Sequence, residues 1–156
     1  MLDRFVVIPA AYVVFLRPAA GASDDAEVLL QLRRGTGYMD EHWATVAGHV
    51  ERDESVLDAA VREAAEEVGV RVQPDDLVPL CSMHRTGTGQ PVDERVDWFF
   101  SATEWAGDPV VKESGKCAEL RWFPLDELPD PVVPHERRVL DLLRAGAVPP
   151  ILTHGF

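Results

Sequence analysis

Glutamates cluster in one short stretch, GHVERDESVLDAAVREAAEEVGV, which runs from Gly48 to Val70. Four of them lie in or beside a single predicted helix: Glu54, Glu63, Glu66 and Glu67. Glu63 precedes the last two by three and four residues, so the three side chains share one helix face and repel one another by about a few tenths of a kcal/mol per pair. Arg62 is the only cation in that helix. The pattern leaves two interpretations open, a solvated acidic surface or a site for a hard cation such as Mg²⁺ or Mn²⁺.

The helix that would position these acids is predicted from about Ser55 to Val68. A helix turns by about 100° per residue, and six apolar positions then form one broad arc that should pack on a sheet: Val56, Leu57, Ala60, Val61, Ala64 and Val68. A second arc carries the glutamates. It also contains Ala59, whose small side chain is expected to leave space open beside them.

The whole chain has 156 residues and a formal net charge of −12, from 27 acidic and 15 basic residues. This length is typical of one domain with its own hydrophobic core, so we expect a single domain over residues 1–156. The chain lacks the broad basic face that nucleic-acid backbones require, which predicts that nucleic acid is not a partner. If the substrate is a polyanion, a divalent cation is the expected means of holding it.

Two cysteines, Cys81 and Cys117, are too few for a disulfide framework, and they predict a reduced, cytoplasmic protein. The apolar run Phe5–Leu16, followed by AAGAS, is similar to a secretion signal. An acidic residue before the run, a proline within it and Arg17 after it oppose that interpretation. The run is also too short to span a bilayer as a helix, so it is predicted to be a buried strand, and no membrane partner is expected.

The elements around the acidic helix follow from apolar runs rich in β-branched and aromatic residues. Five strands are predicted: Val6–Leu16, Val28–Arg33, Val78–His84, Arg95–Ala102 and Glu119–Phe123. A turn at Gly21–Asp25, a loop at His84–Glu94, strand-like pieces between Trp43 and Ala47, and at most a helical turn at Leu125–Leu128 complete the strand regions. A second helix is expected from Pro134 to Arg144. Because the helices are far apart in sequence, this order favours a mixed sheet with helices on its faces.

The acidic stretch resembles the Nudix box, Gly-x₅-Glu-x₇-Arg-Glu-U-x-Glu-Glu-x-Gly-U, in which U is a bulky aliphatic residue. All seven identity positions of that pattern are met: Gly48, Glu54, Arg62, Glu63, Glu66, Glu67 and Gly69. The departures are mild, with the small Ala64 in an aliphatic position and Asp53 where many members carry glycine. The resemblance covers about residues 5 to 145 and indicates MutT-like, single-domain members of the Nudix hydrolase family.

The resemblance implies a fold and a reaction. The fold would be α/β, a Nudix-type α/β/α sandwich with a mixed sheet. The reaction would be Mg²⁺-dependent hydrolysis, with Mn²⁺ as a substitute, of the diphosphate linkage in a nucleoside diphosphate derivative by metal-activated water. Two alternatives stay open: a nucleotide-sensing module without catalysis, and an enzyme like the isoprenoid-diphosphate isomerases, which would need a catalytic cysteine in the cleft.

The resemblance also assigns roles. The metal ligands would be Glu63, Glu66, Glu67, the backbone carbonyl of Ala47, and Glu113 from a later loop. Glu63 is the first choice for the general base and Glu113 the second, with Glu119 as the fallback for the loop glutamate. Arg62 and Glu54 would hold the box carboxylates in place, and Gly48 and Gly69 would allow the loop turn and the helix stop.

Residues outside the box are weaker candidates for contacts with substrate, because such side chains are more often plain surface or core. They are Arg33, Arg34, Tyr38, His84, Arg85 and Lys112, with Trp43 as a further candidate. His49 is predicted to pack in its loop rather than bind metal, because hard cations prefer oxygen. The pattern does not identify the substrate group beyond the diphosphate, and a homodimer is compatible with it.

Overall fold

The computed structural model describes residues 4–19, 25–87 and 93–156. Most of the predicted turn at Gly21–Asp25, and the middle of the predicted loop at His84–Glu94, lie outside these described residues. Eight strands are present in the described residues: β1 Ile8–Arg17, β2 Glu27–Arg33, β3 Trp43–Ala44, β4 Val46–His49, β5 Val78–Arg85, β6 Arg95–Ala102, β7 Cys117–Pro124 and β8 Ile151–His154. Two α-helices, α1 Val56–Val68 and α2 Pro134–Arg144, accompany them, with a 3₁₀ turn at Pro74–Asp76. Neither α-helix has the length and apolar character that crossing a membrane requires.

The strands form a mixed sheet in the order β3-β2-β1-β6-β5-β8, with β4 paired to β1 and β7 paired to β2. β1 runs parallel to β6 along its length, while its first half pairs antiparallel with β4 and its last residues with β2. Because β1 changes partners in this way, the sheet divides between β4 and β2. The cavity described below lies at this division.

Strand alternation supplies two cores, one on each face of the sheet. Tyr12 and Val14 of β1 point to one face, where they pack with Val139 and Leu140 of α2. Val13 and Phe15 point to the other face, in the same buried cluster as the α1 residues. The helices therefore cover opposite faces, and the predicted α/β sandwich with a mixed sheet is confirmed.

Local sequence explains where α1 begins and ends. The Ser55 side chain caps the first turn by accepting a hydrogen bond from the backbone N–H of Asp58 at 3.0 Å. At the other end Gly69 adopts a left-handed conformation with φ 71°, which glycine reaches without steric cost, so the predicted helix stop is confirmed. Asp53, where many family members carry glycine, also has a positive φ of 63°. Aspartate tolerates that conformation better than most residues.

Several sequence predictions about the elements were wrong in detail. β8 was missed because four residues after two prolines carry little periodicity. Leu57 is 38% exposed rather than packed on the sheet, because the face of α1 that meets the sheet is rotated towards Ala59. Ala59 is fully buried in the core, so it does not leave open space beside the glutamates. Gly48 lies within β4 rather than in a loop turn.

Candidate active site

A cavity of about 600 Å³ opens where the sheet divides between β4 and β2. Its wall on the α1 side carries the box acids, and Glu113 and Lys116 approach from the loop before β7. Its opposite wall is polar and comes from β1, β5, β6 and the start of α2. The remaining lining comes from β2, β4 and the loop that follows β2. The cavity thus joins the predicted acidic cluster to residues that the sequence did not bring together.

The acidic cluster depends on a close approach between α1 and β4. The Glu63 carboxylate lies against Gly48, and a Cβ at that position would come within 2.0 Å of its Oε1. Glycine is therefore required at position 48 to make room for the acid, and not for a turn as the sequence had suggested. Glu67 Oε2 accepts hydrogen bonds from the Gln31 side chain at 2.5 Å and from the backbone N–H of Ala47 at 3.4 Å. These contacts place both carboxylates beside the backbone of Ala47.

Arg62 connects the acids through hydrogen bonds from all three nitrogens of its guanidinium group. Its Nε and Nη2 donate to the two carboxylate oxygens of Glu54 at 2.7 and 3.0 Å, a bidentate pair. Its Nη1 donates to Glu63 at 2.7 Å and to Glu66 at 3.2 Å. A further bond from Nη2 reaches the carbonyl of His49 at 3.0 Å. Arg62 thus fixes the loop, the helix and β4 relative to one another, which is the geometry expected of a positioning residue.

Burial and mutual repulsion change the acidity of the cluster. The pKa of Glu67 is raised to about 8, chiefly by burial and also by the charges of Glu63 and Glu113, while the hydrogen bonds from Gln31 and Ala47 act to lower it. Burial also raises the pKa of Glu63, against the lowering effect of Arg62. Three carboxylates therefore interact electrostatically across one cavity. A cation between them would favour their ionised forms.

Glu113 reaches the cavity because its loop is fixed to the end of α1. The backbone N–H of Val110 donates to the carbonyl of Val68 at 3.0 Å, and that of Lys112 donates to the carbonyl of Glu67 at 3.3 Å. The carbonyl of Glu113 in turn accepts from the backbone of Lys116 and Cys117. Glu119, the fallback, lies on β7 beside Arg121 and does not line the cavity.

The donor set suits a hard divalent cation in its chemistry, because it consists of oxygen only: four carboxylates that line the cavity, Glu63, Glu66, Glu67 and Glu113, and the carbonyl of Ala47. In the described residues, no three His, Cys, Asp or Glu side chains are arranged to bind one ion together in this conformation. The reason is visible in the contacts of Arg62, which engages Glu63 and Glu66 at hydrogen-bond distance. Metal binding would therefore require these carboxylates to turn away from the guanidinium.

The wall opposite the acids is a buried polar network. Of its members, the sequence had indicated only Arg85. Arg85 Nε donates to Asp97 Oδ2 at 2.5 Å, and Arg85 Nη2 donates to the Tyr12 hydroxyl at 3.3 Å. That hydroxyl lies 3.0 Å from Nε2 of His135, whose pKa burial lowers to about 2. The only hint of the network in the sequence was the presence of charged residues at alternate positions of an apolar strand, Arg95 and Asp97.

Next to this network, a second buried carboxylate comes from α2. Glu136 Oε1 accepts hydrogen bonds from the backbone N–H and the hydroxyl of Thr45, at 2.7 and 2.6 Å. Burial raises the pKa of Glu136 to about 7. This acid also lines the cavity, and no box or spacing rule pointed to it.

The predicted substrate contacts divide into two groups. Arg33, Tyr38 and Arg85 line the cavity, whereas Arg34, His84 and Lys112 do not. These last three have other contacts: Arg34 pairs with Glu41, His84 with Glu94, and the Lys112 stem lies over Gly69. Trp43 is buried in the core on the α2 face. His49 lies in β4, where its Nε2 accepts a hydrogen bond from Arg95 at 2.9 Å, rather than in a loop.

The two cysteines differ in their relation to the cavity. Cys81 is buried in the α2-face core, whereas Cys117 lines the cavity and its thiol donates to the carbonyl of Glu119. Cys117 reaches the cavity because β7 begins at the cavity mouth. Burial raises the pKa of the Cys117 thiol, which disfavours a reactive thiolate there.

Comparisons with known proteins agree with the box and the fold. The family model described as the NUDIX domain matches residues 8–143, and the chain belongs to this family, the Nudix hydrolases. A relative from Deinococcus radiodurans, named NAD-capped RNA hydrolase NudC, is 34% identical over 137 residues that cover 86% of this chain. The chain spans only 44% of the length of that relative.

Solved structures support the same fold. The crystal structure of a MutT NUDIX hydrolase from Burkholderia pseudomallei superposes with a TM-score of 0.68 at 26% identity, covering 84% of this chain and 96% of the other. The NUDIX domain of NrtR from Shewanella oneidensis, solved with ADP ribose, has a TM-score of 0.69 at 16% identity, covering 90% and 88%. At 16% identity, the similarity to the NrtR domain supports a shared fold alone.

Proposed function

We propose that this protein is a Mg²⁺-dependent pyrophosphohydrolase that cleaves the diphosphate linkage of a nucleoside diphosphate derivative, within a single domain over residues 1–156. One observation carries the proposal: the carboxylates of Glu63, Glu67 and Glu113, from a helix and a distant loop, converge on one cavity that the Ala47 backbone also lines. Mutual repulsion destabilises such a cluster unless a cation is bound. A purely structural role for the acids would not need the third carboxylate from the loop.

The position of each residue in the cavity suggests its role in the reaction. A divalent cation bound there would polarise a phosphoryl oxygen and make a water molecule more acidic. Glu63, buried against Gly48, is the candidate to accept the proton of that water, with Glu113 as the second candidate. Arg62 and Glu54 hold the cluster in place through their bidentate pair. The wall on the side of Arg85 and His135 is the candidate surface for the rest of the substrate.

The experiment is a screen of the purified protein against a nucleotide panel with Mg²⁺, following release of phosphate and nucleoside monophosphate. The panel contains nucleoside triphosphates, sugar nucleotides, dinucleoside polyphosphates and NAD. The Glu67→Gln protein, purified in the same way, controls for contaminating hydrolases. Absence of turnover on every substrate, with both Mg²⁺ and Mn²⁺, would leave a nucleotide-sensing module as the better explanation.

A second substrate class deserves a place in the panel because of the relatives. The Deinococcus protein is named for hydrolysis of NAD-capped RNA, so RNA with a 5′ NAD cap tests whether this chain accepts nucleotide derivatives attached to RNA. Cleavage of NAD-capped RNA faster than of free NAD would contradict the expectation that nucleic acid is not a partner. Equal or slower cleavage would keep the small nucleotide as the substrate.

A further inference from the structure

Two arginines face each other on neighbouring strands in the wall opposite the acids. Arg85 of β5 and Arg95 of β6 are direct partners in the antiparallel register, and both line the cavity. Like charges directly opposite each other destabilise a strand pair. In a chain with a net charge of −12, two cations placed together in this way need an explanation.

Part of the explanation is internal. Asp97 lies two residues after Arg95 on the same face of β6, and its Oδ2 accepts from Arg85 Nε. The Tyr12 hydroxyl accepts a second hydrogen bond from the same guanidinium. Arg85 is buried, these contacts fix its orientation, and the residue lines the cavity. One internal carboxylate therefore serves the first arginine.

The second arginine has a different partner. Arg95 Nη1 donates to Nε2 of His49, and that acceptor is a neutral ring. A guanidinium can only donate hydrogen bonds, so Nε2 of His49 must be unprotonated in this contact, and the ring carries no charge that would oppose or offset the arginine. The contact holds the Arg95 side chain in place without neutralising it. Arg95 therefore presents a positive charge to the cavity.

His49 also fixes the distance between the arginines and the acids. Its carbonyl accepts from Arg62, and the residue before it, Gly48, lies against the Glu63 carboxylate. The strand β1 lies between β4 and β6, and His49 faces Ala10 whereas Arg95 faces Ile8, so the backbones of His49 and Arg95 are about 12 Å apart. The Arg95 side chain crosses β1 to reach His49. The Arg95 guanidinium and the Glu63 carboxylate thus contact consecutive residues of β4, His49 and Gly48, and both line the same cavity.

We propose that Arg85 and Arg95 form a phosphate subsite for a phosphoryl group that lies next to the diphosphate held at the acidic cluster. The proposal rests on the function proposed above and narrows its substrate to compounds with at least three consecutive phosphates. A guanidinium pair is well suited to a phosphoryl group, because its N–H groups can donate to several oxygens at once. A neutral sugar at this position would supply no counter-charge to Arg95, whose hydrogen-bond partner His49 is a neutral ring. Asp97 acts as a positioning residue for Arg85.

The first test compares two substrates. We expect Arg95→Gln to lower kcat/KM for a nucleoside triphosphate by about tenfold to a hundredfold, the range of a lost charge-assisted contact, and to change kcat/KM for ADP-ribose by less than about twofold. Arg121→Gln is the matched control, because it removes one arginine charge from β7 outside the cavity. Equal losses on both substrates would overturn the proposal, since the arginine would then act on the shared diphosphate or on the fold.

The second test does not depend on catalysis. Binding of inorganic tripolyphosphate to the metal-free protein is measured by calorimetry in excess chelator, at two salt concentrations. We expect at least about tenfold weaker binding in Arg95→Gln, recovery of most of the affinity in Arg95→Lys, and parental affinity in Arg121→Gln. Thermal melting of each variant separates weaker binding from loss of fold, and Arg95→Lys keeps the test informative if the Gln protein is unstable.

The outcomes separate this proposal from the proposed function. If no nucleotide is hydrolysed but tripolyphosphate binding depends on Arg95, the phosphate subsite stands and the hydrolase proposal fails. If triphosphates are hydrolysed and the Arg95→Gln protein matches the parent in both tests, the hydrolase proposal stands and the subsite is wrong. Faster parental turnover of ADP-ribose than of every triphosphate would also overturn it.

Discussion

Each wall of the cavity places like charges close together, but the two walls differ in how those charges are compensated. On the α1 wall, the acids Glu63 and Glu66 share one cation, Arg62, which contacts both through a single nitrogen. On the opposite wall, Arg85 is paired with the fully buried Asp97, while Arg95 is held by an uncharged imidazole. One wall is thus negative and partly compensated from within. The other is positive and compensated at only one of its two arginines.

The difference suggests which partner each wall lacks. The α1 wall with Glu63, Glu66 and Glu67, the acid wall, would be completed by a cation that displaces Arg62 from the carboxylates. The opposite wall with Arg85 and Arg95, the arginine wall, would be completed by an anion. A metal-bound polyphosphate supplies both. One oxygen of Asp97 is buried without a hydrogen-bond partner in the described part of the chain, which indicates that this wall is built for position rather than for maximal stability.

The largest expected effect is on the acid wall. Because the protein and its proposed substrate are both strongly anionic, we expect activity to require Mg²⁺ or Mn²⁺, with turnover falling by at least about a thousandfold in excess chelator. Initial rates across a metal titration measure this. Full turnover in chelator would mean that the arginine wall alone holds the substrate, and would remove the basis of the comparison.

The next effect is that of Glu67→Gln, which we expect to lower kcat by at least about a hundredfold. The change removes one charge while keeping size and helix propensity, and a single preorganised electrostatic group is commonly worth about 2.7–4 kcal/mol. Gln at 67 should also relieve repulsion from Glu63 and Glu113. The metal-free variant should therefore melt no lower than the parent. Normal rates together with a much lower melting temperature would assign Glu67 to structure instead.

The sequence predicted the two walls unequally, and the reason is physical. The acids and Arg62 belong to one helix and the loop before it, so helical periodicity and box spacing place them together. The arginine wall depends on the register of β5 with β6, which side-chain alternation does not specify across a loop. Asp97, His135 and Glu136 come from elements distant in sequence, and only packing brings them together. β8, whose four residues carry little periodicity, likewise depends on a non-local contact, its parallel pairing with β5.

Glu113 tests whether the acid wall extends to the loop. We expect Glu113→Gln to lower kcat by about tenfold with little change in Mn²⁺ affinity of the free protein, because its carboxylate enters from a loop rather than from the helix. Steady-state kinetics and a Mn²⁺ titration by electron paramagnetic resonance measure the two quantities. Glu119→Gln is the matched control on β7. A defect in that control, with parental kinetics in Glu113→Gln, would transfer the role to Glu119.

The smallest expected effect concerns Glu136, the buried carboxylate of α2 beside the arginine wall. Burial raises the pKa of Glu136 from 4.5 to about 7, so the folded protein binds more protons than the unfolded chain between these pH values. The free energy of unfolding should therefore fall as pH rises through this window. Glu136→Gln should remove the contribution of Glu136 to this fall. The free energy of unfolding of the variant, relative to that of the parent, should therefore rise by about 1–3 kcal/mol from pH 4.5 to 7.5.

Denaturant unfolding of both proteins in chelator at several pH values measures the difference, and contributions from the α1 acids cancel because both proteins share them. Thr45→Val sharpens the test. The Thr45 hydroxyl donates to Glu136 and favours its ionised form, so its loss should raise that pKa further and make the fall in stability with pH steeper than in the parent. A Glu136→Gln curve parallel to the parental curve would show that the pKa of Glu136 is the same in the folded and unfolded protein, so that Glu136 is charged near neutral pH. The arginine wall would then contain two buried carboxylates, Asp97 and Glu136, balancing its arginines, and its demand for a substrate anion would be correspondingly smaller.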